Sequence, residues 1–140
     1  MLGIIFFVMI NTKFRGDAVV ALVMSELLEL GHRVLEPRSD VAPYDLVVDV
    51  SGKFHRLQVR RAFRNKRGGG PRISTEKIYP RRNGTVRRRY DASQIDFLVA
   101  VWQRKTYVFP IRFIEKFSSS VSLVNREEYE GNWNQLTCRP

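Results

Sequence analysis

The chain has 140 residues, 44% of them apolar, enough for one domain with a core and too few for two. Twenty-four Lys and Arg against fourteen Asp and Glu leave a formal charge of +10, a bias that a merely solvated surface does not need. It points to a polyanionic partner, nucleic acid first and an anionic membrane second. The lone Cys138 excludes an internal disulfide framework and a cysteine-rich zinc site, and an intracellular, reducing compartment fits.

Met1 to Ile10 is apolar throughout, but ten residues cannot span a bilayer and no basic segment precedes them, so no membrane association is expected. Gly3 to Ile10 reads as a strand, buried or between subunits, ending at the capping pair Asn11-Thr12. Asp17 to Leu30 holds strong helix formers with no Gly or Pro, and Gly31 stands where a left-handed stop belongs. Its apolar set covers more than one stripe, which predicts a helix buried on most sides.

Arg33 to Glu36 is a short strand ended by Pro37. Asp45 to Val50 and Phe54 to Arg61 form a hairpin turning at Ser51-Gly52. Alternation puts Leu46, Val48, Leu57 and Val59 on one face, and Asp45, Gln58 and Arg60 on the other. Arg72 to Tyr79 reads as a strand between two flexible loops, Gly68-Gly69-Gly70-Pro71 and Pro80 to Gly84. Asp96 to Trp102 and Lys105 to Phe109 form a second hairpin turning at Gln103-Arg104. Pro110 to Phe117 is a short helix or irregular turn, and Val121 to Val124 one more strand. Residues 126–140 carry no periodicity and receive no assignment. The whole is a single domain with its core at about residues 11–117.

Fourteen of the 24 basic residues fall between Lys53 and Arg89, where Glu76 is the only acid. Two loops in this segment suit a phosphate backbone: residues 64–72, with Arg64, Lys66, Arg67 and Arg72, and residues 81–89, with Arg81, Arg82, Arg87, Arg88 and Arg89. Hydrolysis of a phosphodiester needs a divalent cation on oxygen ligands, usually one or two carboxylates. Asp45 at a strand start supplies one, Gln58 an amide oxygen, and Arg60 or Arg61 a cation for the scissile phosphate. His32 and His55 are isolated and suit surface or helix-end roles. Tyr44 and Asp96 suit structural roles, as a packing aromatic and a polar anchor.

The ordered set Asn11-Thr12-Lys13-x-x-Gly16-Asp17, Leu27-Leu28-x-Leu30-Gly31-x-x-Val34-Leu35-x-Pro37, Tyr44-Asp45-Leu46-Val47-Val48-Asp49 and Leu57-Gln58-Val59 resembles the PD-(D/E)XK nuclease superfamily. Within it, the set is similar to the small homing endonucleases of cyanobacterial group I introns, which share a Gln-x-Lys form of the motif. The similarity continues to Tyr90 and Ile95-Asp96-Phe97. It implies an α/β, restriction-endonuclease-like core with a mixed central sheet flanked by helices. It also implies Mg²⁺ (or Mn²⁺) at Asp45, double-stranded DNA as substrate, and a homodimer or homotetramer. Asp45 matches the family's aspartate and Gln58 its middle position. Val20 stands where the family has a helix glutamate, with Asp17 or Glu26 as possible substitutes, and Arg60 stands where it has lysine. An arginine stays protonated and cannot act as a base. The expected activity is therefore a homing-type DNA endonuclease. The alternatives are a catalytically inactive DNA-binding protein and a Holliday-junction resolvase.

Overall fold

In the computed structural model, residues 12–137 are described; the strand expected at Gly3–Ile10 lies outside them. Helix α1 runs Thr12–Glu29, beginning a turn earlier than the sequence suggests. It ends as expected: Gly31, at φ 82°, lets its own N–H reach the Leu28 carbonyl and that of His32 reach Leu27, so the last carbonyls are satisfied.

The main sheet orders its strands β1 (Arg33–Leu35), β2 (Leu46–Val50), β3 (Lys53–Arg61), β8 (Phe97–Trp102) and β9 (Lys105–Pro110). All neighbours are antiparallel except β3 and β8, so the sheet is mixed. The β2–β3 hairpin closes through Ser51 and Gly52, both at positive φ, with the Gly52 N–H donating to Asp49 Oδ1 at 2.7 Å. The β8–β9 hairpin turns at Gln103 and Arg104, which also sit at positive φ without being glycine.

The expected strand Arg72–Tyr79 is two strands in two different sheets. β5 (Pro71–Ser74) pairs with β4 (Phe63–Arg64) and β10 (Ser120–Ser122), whereas β6 (Glu76–Arg81) pairs with β7 (Gly84–Arg89) as a separate ribbon. The break falls at Thr75, whose N–H turns to Ser119 and whose carbonyl takes the Tyr90 N–H. The expected DNA-binding loop 81–89 is accordingly the tip and second strand of a β-hairpin, Glu76–Arg89. Arginine and threonine pair across it as readily as apolar residues, because both of its faces can be wet.

The main sheet buries both faces. On one, Val19, Val23 and Leu27 of α1 pack on Leu46, Val48, Leu57, Val59 and Val99, with Trp133 and Leu136 completing the layer. On the other, Leu98, Ala100 and Phe109 meet Ile73, Val121 and the four-residue helix α2 (Ile111–Ile114). A small sheet and the short helix expected within Pro110–Phe117 thus cover this second face. Only one stripe of α1 is buried among the described residues, Val19, Val23 and Leu27, since Phe14 and Leu28 are exposed. The unassigned C-terminal stretch contributes two 3-10 turns, Glu127–Tyr129 and Trp133–Leu136. His55, expected at the surface, is buried, and its Nε2 donates to the Leu136 carbonyl at 2.9 Å.

Candidate active site

Strand register places the polar residues. Leu46 lies opposite Leu57, and one step further Asp45 faces the Gln58 position, its N–H donating to the Leu57 carbonyl at 2.9 Å. Gln58 and Arg60 pair in parallel with Leu98 and Ala100, so Asp45, Gln58 and Arg60 share the face opposite α1, as alternation requires. Asp45 Oδ2 accepts the Val59 N–H at 2.9 Å, which fixes the carboxyl at the end of β2. Burial pushes this carboxyl above the usual range. The Val59 N–H, Arg60 and Lys77 pull it back, and nearby Asp17 pushes it up again.

Asp45 opens into a cavity of about 340 Å³. Asp17 and Val20 of α1, the loop residues Glu36 to Ser39, Asp40 and Tyr44, and Lys77 of β6 complete its lining. Val20 therefore reaches the same cavity as Asp45. Asp17, one turn earlier, reaches it too. Glu26 does not: its Oε2 accepts Thr106 Oγ1 at 2.8 Å and Trp133 Nε1 at 3.0 Å, which makes it a structural anchor. Among the described residues no three of His, Cys, Asp and Glu converge as a metal-holding group.

The two arginines at the end of β3 part company. Arg60 Nη2 donates to the Glu76 carbonyl at 2.8 Å, and its guanidinium lies 5.6 Å from the centre of the Tyr90 ring. Its Nε is buried with no hydrogen-bond partner, and burial pushes the Tyr90 phenol up to about 12 although the neighbouring Arg60 guanidinium pulls it down. Arg60 is absent from the walls of the Asp45 cavity. Arg61 projects to the opposite face, into a pocket between α1 and the Gln103–Arg104 turn.

The basic residues divide in the same way. Arg64, Lys66 and Arg67 are exposed on β4 and the loop after it, and Arg81, Arg82 and Arg88 are exposed on the ribbon. Arg72 donates from Nε to Ser120 Oγ and ties β5 to β10. Arg89 holds the carbonyls of Glu115 and Phe117, and Arg87 stands 3.8 Å from Glu76. Asp96 is the polar anchor expected of it, accepting the Arg56 N–H at 2.7 Å and its Nε at 3.1 Å.

Sequence reasoning missed Lys77. Alternation along β6 could have placed it with Tyr79 on one ribbon face, but no local signal tells that this face meets Asp45.

A sequence profile described as PD-(D/E)XK endonuclease matches residues 10–138. The chain belongs to that family. Its fold also matches the solved structure of a bacterial homing endonuclease, I-Ssp6803I, with a TM-score of 0.82 and 27% identity, over 90% of this chain and 93% of that one. No curated protein matches the sequence. The mixed sheet with a helix on one face is thus that of a PD-(D/E)XK endonuclease. No helix among the described residues is long and apolar enough to cross a membrane.

Proposed function

We propose that this family member is a metal-dependent DNA endonuclease of the homing type, hydrolysing phosphodiester bonds of double-stranded DNA at the Asp45 cavity. One observation carries the reading: a half-buried carboxylate held by a backbone N–H opens, beside Asp17, into a cavity that one lysine of the basic ribbon, Lys77, also lines. The donor chemistry suits Mg²⁺ or Mn²⁺, hard ions that take one or two carboxylates and keep several waters. Asp45 and Asp17 would hold the ion, with Gln58 in support beside Asp45. When bound, it supplies charge neutralisation at the phosphate and a water of lowered pKa.

The chain's own residues do the rest. The Val59 N–H orients Asp45. Arg64, Lys66 and Arg67 on one side, and Arg81, Arg82 and Arg88 on the other, hold the DNA backbone. A two-stranded ribbon also fits the major groove, so β6–β7 can enter the duplex and not only follow its phosphates. The site cuts one strand, and a homodimer or homotetramer would present a second copy to the other.

A DNA-binding protein without catalysis is the second reading, and Val20 favours it by placing an apolar side chain in the cavity wall. Plasmid carrying candidate targets separates the two. Nicking or linearisation with Mg²⁺ or Mn²⁺, stopped by EDTA, is the result expected. Binding without cutting in either metal would replace the enzyme with the binding protein.

A further inference from the structure

Resting on that nuclease reading, we infer that Lys77, on the β6–β7 ribbon, is the catalytic cation of the site and that Arg60 is not. A phosphoryl transition state gathers negative charge on its non-bridging oxygens, and a preorganised donor aimed at them is worth most inside a cavity that limits water. Such a donor must reach the cavity that holds the phosphate. Lys77 lines that cavity with Asp45, whereas Arg60, whose charge also acts on the Asp45 carboxyl, does not.

Arg60 fails this requirement. Its Nη2 is spent on the Glu76 carbonyl, its guanidinium lies against Tyr90, and its buried Nε faces no partner. It is a strut between β3 and the ribbon, one residue from Lys77 along β6. The strut positions the lysine: by holding the Glu76 carbonyl it fixes where the next side chain emerges. Tyr79, two residues on and on the same ribbon face, keeps its ring centre 5.3 Å from Lys77 Nζ, a cation–π contact that limits where the ammonium can go. Arg88 lies directly across the ribbon from Lys77, so a second cation flanks the same approach. The lysine thus acts as a charged donor to the scissile phosphate.

The test uses the full chain, supercoiled plasmid and Mn²⁺. It compares wild type with Lys77→Met, Lys77→Arg and Asp45→Asn, reading single-turnover nicking and duplex affinity separately. Lys77→Met is expected to slow nicking about 100-fold or more with affinity within about threefold, and Lys77→Arg to keep at least about a tenth of the wild-type rate by preserving the charge. Wild-type nicking in Lys77→Met, or equal losses of rate and affinity, would overturn the assignment. Absence of nicking by wild type itself, or full nicking by Asp45→Asn, would remove the nuclease reading and the role of Lys77 with it.

Discussion

Asp45 shows how a site residue is held against its own preference. Burial raises its pKa, so the folded state binds its proton more tightly than the unfolded chain does. Such a group costs stability once pH rises past the unfolded value of about 3.9 and on through the folded value, and the cost is fully present at neutral pH. Asp45→Asn keeps an oxygen for the Val59 N–H and removes the charge. It is expected to melt higher than wild type at pH 7, with the difference vanishing as the pH is lowered below the unfolded value. A lower Tm at pH 7 would show that its attractions outweigh its burial. Val20→Glu tests the other wall of the cavity. A further carboxylate there, beside Asp45 and Asp17, should raise the nicking rate at least about tenfold by strengthening metal binding, at a cost of about 1–2 kcal/mol because Val20 packs against the core. Asp45 and Gln58 were legible because strand alternation is a local rule. Asp17 stood in the sequence only as one of two candidates with Glu26, and Lys77 not at all, because the helix and the ribbon that carry them meet Asp45 only through tertiary packing.

At the scale of elements, the C-terminal turn decides how the helix face of the sheet is closed. Trp133 and Leu136 are buried against α1 and the sheet, and the Trp133 indole N–H satisfies Glu26. Trp133→Ala should therefore cost about 3–5 kcal/mol, because it removes a large buried ring and leaves a half-buried carboxylate short of a donor. Urea unfolding monitored by far-UV circular dichroism measures it, and a loss below about 1 kcal/mol would mean the turn is only loosely docked. Nothing periodic marks residues 126–137, so sequence reading could not assign them. Their two short turns are fixed by contacts with distant strands, including the His55 bond to Leu136 and the Gly131 N–H to Thr106. The hairpins β2–β3 and β8–β9 were readable because alternation and turn residues lie within a dozen positions. Glu76–Arg89 was harder: its charges resemble a loop, and pairing makes it a ribbon.

For the whole molecule, the charge asymmetry of the sequence becomes a spatial one. The segment Lys53–Arg89 builds β3, the edge of the small sheet and the ribbon, whose Lys77 lines the Asp45 cavity. Its total charge was legible, but not its division into cations for DNA and cations for the fold, because no sequence shows which carbonyls Arg60, Arg72 and Arg89 will meet. The exposed ribbon tip gives a direct expectation. Arg81→Ala/Arg82→Ala should weaken duplex binding and make the log–log salt dependence shallower by about 2, close to 0.9 for each phosphate no longer neutralised. An unchanged slope would place the DNA elsewhere. The central claim, that the Asp45 cavity cuts DNA, is tested most directly by single-turnover cleavage of a duplex bound equally by wild type and Asp45→Asn in Mg²⁺. Cleavage is expected from wild type and a fall of about a thousandfold or more in the variant, with affinity unchanged. Equal rates from the two proteins would contradict the account.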